Sequence, residues 1–227
     1  MHEKLQQLQW LFLDPSVLLN EIDTEREARR LTAEALARRG RPVDQDQVER
    51  AWMQAIASPR PVHPLAGAIA GLAPDPHTGK AILDEVTRNL RNLDTLYSGL
   101  QMALSSLQRQ IKVGVIGPYR LPGTRARLER FRLSFPVTAL SDEQQLSHKL
   151  DLNGRPDPAL FTWALRKAAC PPALAAFASD RVDLGLAPAK LAGMTTIWLR
   201  VTNYKLRYPR NSVETPDLTV NTLSDLA

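Results

Sequence analysis

The sequence predicts an α/β protein, a doubly wound parallel sheet with an inserted α-helical domain. Three observations predict this fold. Residues 153–201 alternate between helical and strand periodicity, as a βαβ unit of a parallel sheet does. A short apolar run at 10–13 ends abruptly at Asp14, as a buried parallel strand does at its carboxyl end. Between these two regions, residues 23–106 carry helical periodicity throughout.

The first strand is predicted at 10–13, because four apolar residues follow one another without interruption. Asp14 comes next, and Pro15 follows it. Two interpretations of Asp14 are open. It caps the end of a strand before a proline, or it acts at the carboxyl edge of the sheet, where the sites of open α/β proteins collect.

The inserted domain is predicted to contain four helices, each with helical spacing of its apolar residues. They lie at 23–39, 43–58, 77–93 and 96–110. Residues 59–76 are apolar but broken by prolines, which predicts a packed loop with at most one short helix. Trp52, Ala55 and Ile56 share one helical stripe, so we expect Trp52 to pack inward together with Met53.

After the insertion, helices and strands alternate again. The strands are predicted at 111–116, ending at Gly117, and at 135–140, followed by a polar loop at 141–154. The βαβ unit then consists of a helix within 155–169, a strand at 173–178, a helix at 186–193 and a strand at 195–201.

Composition limits the class of protein. The 227 residues, 44% of them hydrophobic, suffice for one α/β core and a smaller second domain. The single cysteine, Cys170, excludes an intramolecular disulfide. The N-terminus lacks the pattern of a leader peptide, and no apolar stretch approaches about 18 residues. We therefore expect a soluble, cytoplasmic protein that does not enter a membrane.

The net charge of +5 is compatible with binding to an anionic partner. The arginines of the first inserted helix stand beside glutamates, where pairing between residues i and i+4 accounts for them. Phosphate contacts by these arginines, and nucleic-acid binding through them, are less favoured alternatives that rest on charge alone. The residues concerned are Arg26, Arg29, Arg30, Arg38 and Arg39.

Three motifs occur in a fixed order: WLFLDPSVLLN at 10–20, RPDP at 155–158 and SDRVDLGLAPAKLAGM at 179–194. Together they resemble the haloacid dehalogenase-like (HAD) hydrolase superfamily. The resemblance implies a HAD-like Rossmannoid core formed by residues 1–20 and 107–227. It also implies a helical cap of the C1 type at 21–106, which in that superfamily shields the site and selects the substrate.

The resemblance further implies which residues form the site. Asp14 matches the nucleophile that attacks phosphorus, and Ser16 stands where a second aspartate acts as acid and base. Gly117 replaces a serine or threonine whose hydroxyl holds the transferred phosphoryl group. Thr124 and Tyr119 lie near enough in sequence to compensate for the lost hydroxyl.

The remaining positions bear on charge and metal binding. Arg155 replaces the lysine that precedes PDP, and a planar guanidinium is not equivalent to an ammonium group. Asp180 matches a magnesium ligand, but the second acidic position falls on Gly185, which leaves Asp183 as a substitute. Because magnesium wants near-octahedral oxygen ligands, we expect Asp14 and Asp180 to hold it weakly or not at all.

These losses predict a HAD-like pseudoenzyme: a hydrolase fold with a degenerate site, catalytically impaired and retained for binding or scaffolding. The alternative is an active hydrolase, of phosphatase or dehalogenase type, with Asp14 as nucleophile. Nucleic-acid binding is the weaker third hypothesis. The expected ligand is a small phosphorylated or anionic molecule, and the sequence names no protein partner.

Overall fold

A six-stranded parallel sheet forms the centre of the larger of two units. The computed structural model describes residues 6–58, 63–90, 93–118, 123–141, 157–202 and 208–227. Within them, the sheet order is β5-β4-β1-β6-β7-β8, and each neighbouring pair is parallel. The short strands β2 and β3 form a separate two-stranded sheet. The strands are β1 (Trp10–Leu13), β2 (Leu19–Asn20), β3 (Thr95–Leu96), β4 (Lys112–Gly117), β5 (Thr138–Leu140), β6 (Ala175–Ser179), β7 (Thr195–Leu199) and β8 (Leu218–Val220).

The α-helices of the described residues fall into two groups, α1 to α4 in the insertion and α5 to α8 in the sheet unit. None of them has the length and apolar character that crossing a lipid bilayer requires. They are α1 (Ile22–Ala37), α2 (Gln45–Ala57), α3 (Pro64–Leu72), α4 (Pro76–Asn89), α5 (Leu100–Gln108), α6 (Thr124–Arg130), α7 (Ala159–Lys167) and α8 (Ala187–Leu191).

Helices cover both faces of the sheet, because successive strand residues point to opposite faces. Leu11 and Leu13 of β1 belong to a core cluster that also takes in apolar residues of α5 and α6. Trp10 and Phe12 belong to a second cluster, on the other face, with residues of α7 and α8. The expected doubly wound α/β fold is therefore confirmed, with β1 inside the sheet and buried on both sides.

Residues 20–95 form the second unit, which contains α1 to α4. Asp44 caps α2 in a capping box with Gln47, and Asp75 caps α4 through Thr78. The proline-broken segment contains the one short helix that was expected, α3. Trp52 is buried as expected, whereas Met53 is only half-buried.

The arginines of α1 and of the turn that follows it are engaged in ion pairs with acidic residues of the same unit. Surface pairs of this kind contribute little stability each, but they account for the cationic residues without a nucleic acid. The pairs are Arg26–Asp23, Arg29–Glu25, Arg29–Glu49, Arg30–Glu27, Arg30–Glu34, Arg38–Glu85 and Arg39–Glu85.

The division of the chain differs from the expected one at the second junction. The sheet unit comprises residues 1–19 and 96–227, so the chain returns to it at 96 rather than at 107. The helix expected to be the fourth of the insertion, α5, instead packs Leu100, Leu104 and Leu107 in the core cluster beside β1 and β4. Helical periodicity shows that a helix has an apolar face but not which neighbour covers it.

Candidate functional site

The carboxyl ends of β1 and β6 meet at one edge of the sheet and bring two aspartates together. The two strands are paired with Leu13 opposite Ala178, and the backbone N–H of Asp14 donates to the carbonyl of Ala178 at 2.9 Å. Asp14 follows β1 directly, and Asp180 follows β6 directly. Both side chains are fully buried.

Asp14 is held by two hydrogen-bond donors, one on each carboxylate oxygen. It caps the short 3₁₀ turn Pro15–Val17, and its Oδ1 accepts from the backbone N–H of Ser16 at 3.1 Å. Its Oδ2 accepts from Ser179 Oγ at 2.8 Å. Ser179 is itself oriented, because its Oγ accepts from the backbone N–H of Arg181 at 3.1 Å.

Asp180 is held in the same way by two hydroxyls. Ser16 Oγ donates to its Oδ1 at 2.6 Å, and Thr202 Oγ1 donates to its Oδ2 at 2.5 Å. The indole N–H of Trp198 donates to its backbone carbonyl at 3.1 Å. Ser16 therefore joins the two carboxylates, with its N–H on Asp14 and its hydroxyl on Asp180.

Burial dominates the electrostatics of this pair, because it disfavours the charged form of a carboxyl group. Burial, and next the charge of Asp180, raise the pKa of Asp14 to about 7, against the hydrogen bonds from Ser16 and Ser179. Burial also raises the pKa of Asp180, against the hydroxyls of Ser16 and Thr202 and the charge of Arg181. The pair therefore binds a proton more readily than exposed aspartates do.

Asp183 is engaged by a buried arginine. Arg181 Nε donates to Asp183 Oδ1 at 2.8 Å, and Arg181 NH2 donates to Oδ2 at 2.7 Å. Both side chains are buried. The pair lies at the start of a π-helical turn, Val182–Leu186, in which the N–H of Leu186 donates to the carbonyl of Arg181. Gly185 lies inside this turn.

Gly117 ends β4, next to β1, and a side chain there would require its neighbours to shift. A Cβ there would lie 2.8 Å from Leu140 Cδ2 and 3.3 Å from Pro15 Cγ. Thr124, expected to compensate, is buried at the start of α6. Tyr119, Arg155 and the polar loop expected at 141–154, apart from Ser141, lie outside the described residues.

The structure thus brings Asp14, Ser16 and Asp180 together and turns Asp183 toward Arg181. Sequence reasoning missed the hydroxyls of Ser179 and Thr202. The sequence indicated that Ser179 lies near the site, since it precedes Asp180 at the end of a predicted strand. Nothing in the sequence indicated this for Thr202, because its position depends on β7 lying next to β6.

Comparison with known proteins supports the fold at low sequence identity. No protein-family model matches the sequence. A stretch of 67 residues is 33% identical to a glyceraldehyde 3-phosphate phosphatase of Methanopyrus kandleri, covering 30% of this chain and 29% of that protein. The match therefore spans less than a third of that relative.

Solved structures match over almost the whole chain. A HAD-hydrolase of Bacillus subtilis bound to magnesium has a TM-score of 0.70 at 16% identity, covering 97% of each chain. A HAD phosphatase of Thermococcus onnurineus has a TM-score of 0.63 at 18% identity, covering 96% of this chain and 95% of that one. A 2-haloacid dehalogenase of Pseudomonas syringae has a TM-score of 0.58 at 20% identity, covering 96% of each.

Proposed function

We propose that this chain, whose fold is that of the HAD-like hydrolases, binds a small phosphorylated or other anionic ligand and hydrolyses it slowly or not at all. One observation carries the proposal: position 16, to which the resemblance assigns an acid/base carboxylate, is a serine whose groups contact both Asp14 and Asp180. Its hydroxyl donates to Asp180 at 2.6 Å.

A serine hydroxyl at this place changes the chemistry. A carboxyl group exchanges protons near neutral pH, so it can protonate a leaving group and then deprotonate water. A serine hydroxyl does not titrate in that range. Loss of general acid/base help alone reduces a rate by a factor of about 10² to 10⁴.

Holding the transferred group is the second deficit. Phosphoryl transfer depends mainly on positioning and on donors aimed at the charged oxygens. Gly117 has no hydroxyl to offer, and Leu140 and Pro15 fill the space that a side chain at 117 would need. A phosphoryl group at the edge of β4 would therefore depend on backbone N–H groups and on side chains of neighbouring segments for its hydrogen bonds.

Within the described residues, the site offers a magnesium ion, the metal that the fold family implies, only the two carboxylates of Asp14 and Asp180. Magnesium prefers near-octahedral oxygen ligands at about 2.0–2.1 Å, often with one or two carboxylates and phosphate oxygens. Within the described ranges, no group of three or more His, Cys, Asp or Glu side chains could share an ion. Both oxygens of Asp183 accept from Arg181, and Gly185 supplies no carboxylate. Weak or absent magnesium binding is part of the proposal.

A second candidate function is a working hydrolase with Asp14 as nucleophile. The convergence of Asp14 and Asp180 favours it, because these positions match the nucleophile and an acidic metal-site residue of the HAD motifs. The names of similar proteins, a glyceraldehyde 3-phosphate phosphatase and a 2-haloacid dehalogenase, suggest the substrate classes to try.

Turnover and binding together separate the two functions. Purified protein is assayed on nitrophenyl phosphate and on short haloacids, with and without magnesium, beside Asp14→Asn and the exposed control Asp46→Asn. Thermal unfolding with added inorganic phosphate or glyceraldehyde 3-phosphate measures binding. We expect a higher Tm with ligand and little or no turnover.

Turnover that Asp14→Asn removes and Asp46→Asn keeps would make the working hydrolase the correct function. The absence of both turnover and ligand stabilisation would overturn the binding role.

A further inference from the structure

We propose that three hydroxyls hold the Asp14–Asp180 pair in place of a divalent cation, and that Thr202 is a positioning residue for Asp180. The three residues, here called the hydroxyl cluster, are Ser16, Ser179 and Thr202. Their role is independent of whether any substrate is turned over.

The hydroxyl cluster and one backbone N–H reach every carboxylate oxygen of the pair. Asp14 Oδ2 accepts from Ser179 Oγ at 2.8 Å, and Asp14 Oδ1 accepts from the N–H of Ser16 at 3.1 Å. Asp180 Oδ1 and Oδ2 accept from Ser16 Oγ at 2.6 Å and Thr202 Oγ1 at 2.5 Å. Two buried carboxylates need donors or a cation, since unpaired burial of charge is costly. Here the donors come from the chain.

Thr202 reaches Asp180 because β7 lies beside β6. The two strands are in register with Ser179 opposite Trp198, so the residues that follow Trp198 leave the sheet at the edge where Asp180 lies. Trp198 binds the carbonyl of Asp180 and Thr202 binds its carboxylate. This segment therefore fixes both the backbone and the side chain of Asp180.

The charges next to Asp180 favour donors over a divalent ion. Arg181 follows Asp180 directly and is buried, so it places a positive charge near any cation bound there. Its partner Asp183 has both oxygens engaged. The Arg181–Asp183 pair thus offers no spare carboxylate to a metal ion.

The first test is the magnesium response of the unaltered protein. Magnesium chloride is titrated calorimetrically into protein that has been treated with EDTA and then freed of it, and thermal unfolding is compared in EDTA and in millimolar magnesium chloride. We expect no measurable heat of binding and the same Tm in both solutions. A magnesium-dependent rise in Tm would overturn this proposal, and with it the weak or absent magnesium binding proposed above, even if no turnover is found. Magnesium-independent turnover would overturn the proposed slow or absent hydrolysis and would leave the role of the hydroxyl cluster standing.

The second test replaces one residue of the hydroxyl cluster by a residue of similar shape that has no hydroxyl. In EDTA, Thr202→Val should lower the Tm by about 4 to 10 °C, because a hydrogen bond to a buried charged group is lost. Thr202→Ser should keep most of the Tm, and Thr219→Val, at an exposed position of β8, is the matched control. An unchanged Tm for Thr202→Val would overturn the positioning role.

Magnesium then separates positioning of Asp180 from simple packing. Thr202→Val leaves Asp180 Oδ2 without its donor, so magnesium should raise the Tm of this variant and of Ser16→Ala but not that of Thr219→Val. A packing defect would not respond to the ion. If magnesium raises the Tm of neither variant, the hydroxyl cluster does not act in place of a cation, and the proposal fails.

Discussion

At the scale of single residues, Gly117 is constrained by space and not by backbone conformation. Its φ lies outside the left-handed region, yet an added Cβ would lie 2.8 Å from Leu140 Cδ2. Leu140 is buried, and Pro15 is a rigid ring on the other side. We therefore expect Gly117→Ser to lower the free energy of unfolding by about 1 to 3 kcal/mol through overpacking.

Urea unfolding measures this cost, and Gly71→Ser is its control. Gly71 is exposed in α3, and nothing lies within 4 Å of a Cβ added there. Equal stability of Gly117→Ser and the parent would show that Leu140 moves aside, and position 117 could then carry the hydroxyl that the resemblance expects.

Asp14 links the site to the pH dependence of stability. Its folded-state pKa of about 7 exceeds the ordinary value of 3.8, so the folded state favours the protonated form. This contribution is fully present below about pH 4 and is lost as the pH rises through 7. Asp14→Asn cannot ionise, so it should be more stable than the parent at pH 8 by about 2 to 4 kcal/mol, and the difference should vanish near pH 4.

The measurement is thermal unfolding in EDTA across this pH range. Asp225 provides a control of opposite sign, because backbone N–H groups of Thr222 and Asn221 lower its pKa. Asp225→Asn should therefore be less stable than the parent at neutral pH. The difference should shrink as the pH falls below the ordinary range of an aspartate, because the parent then loses the contribution of its charged carboxylate. A stability difference for Asp14→Asn that does not change with pH would contradict the raised pKa.

At the scale of elements, α2 depends on one aromatic side chain. Trp52 is 2% exposed, and the Arg29 guanidinium lies 5.2 Å from its ring centroid. Truncation to alanine removes a large buried side chain, so Trp52→Ala should lower the free energy of unfolding by about 3 to 5 kcal/mol. Denaturant unfolding is the readout, and Met53→Ala, at a half-buried position, should cost less. A loss under about 1 kcal/mol for Trp52→Ala would mean that α2 does not depend on this side chain.

The elements themselves were largely predictable from periodicity. Strands β1, β4 and β6 lie within about two residues of the apolar runs that predicted them. One element was assigned to the wrong unit, because local pattern carries no information on which neighbour a helix packs against. Helix α5 has the periodicity of the insertion helices but packs against the sheet.

At the scale of the whole molecule, the site is assembled from segments that are far apart in the chain. Ser16 and Asp180 are 164 residues apart, and a hydrogen bond joins them because β1 and β6 are neighbours. The convergence of Asp14 and Asp180 was predictable, since carboxyl ends of parallel strands share one edge. The hydroxyl of Thr202 was not, because serines and threonines are common and only the strand order distinguishes this one.

The departures from the HAD motifs on which the proposed function rests lie in three separate segments, at Ser16, Gly117 and Gly185. Ser16→Asp would place a carboxylate within reach of both Asp14 and Asp180, where Ser16 now donates to each. Three buried carboxylates without a matching cation repel one another, so the new group would destabilise the folded protein. The transferred phosphoryl group would still lack a hydroxyl at 117, and a metal ion would still lack an acidic group at 185. We expect no magnesium-dependent turnover of nitrophenyl phosphate above the parent, and a lower Tm at pH 8.

The triple variant Ser16→Asp, Gly117→Ser, Gly185→Asp is the fairer comparison, since positioning and charge neutralisation carry most of phosphoryl transfer. It too should stay inactive, because Leu140 and Pro15 crowd position 117, and Gly185 lies in a π-helical turn whose side-chain directions differ from those of a regular helix. Turnover by Ser16→Asp alone would mean that other side chains already hold the phosphoryl group. Thr124 would be the first to test, ahead of Asp183, whose oxygens Arg181 engages. The working hydrolase would then replace the binding protein as the proposed function of this chain.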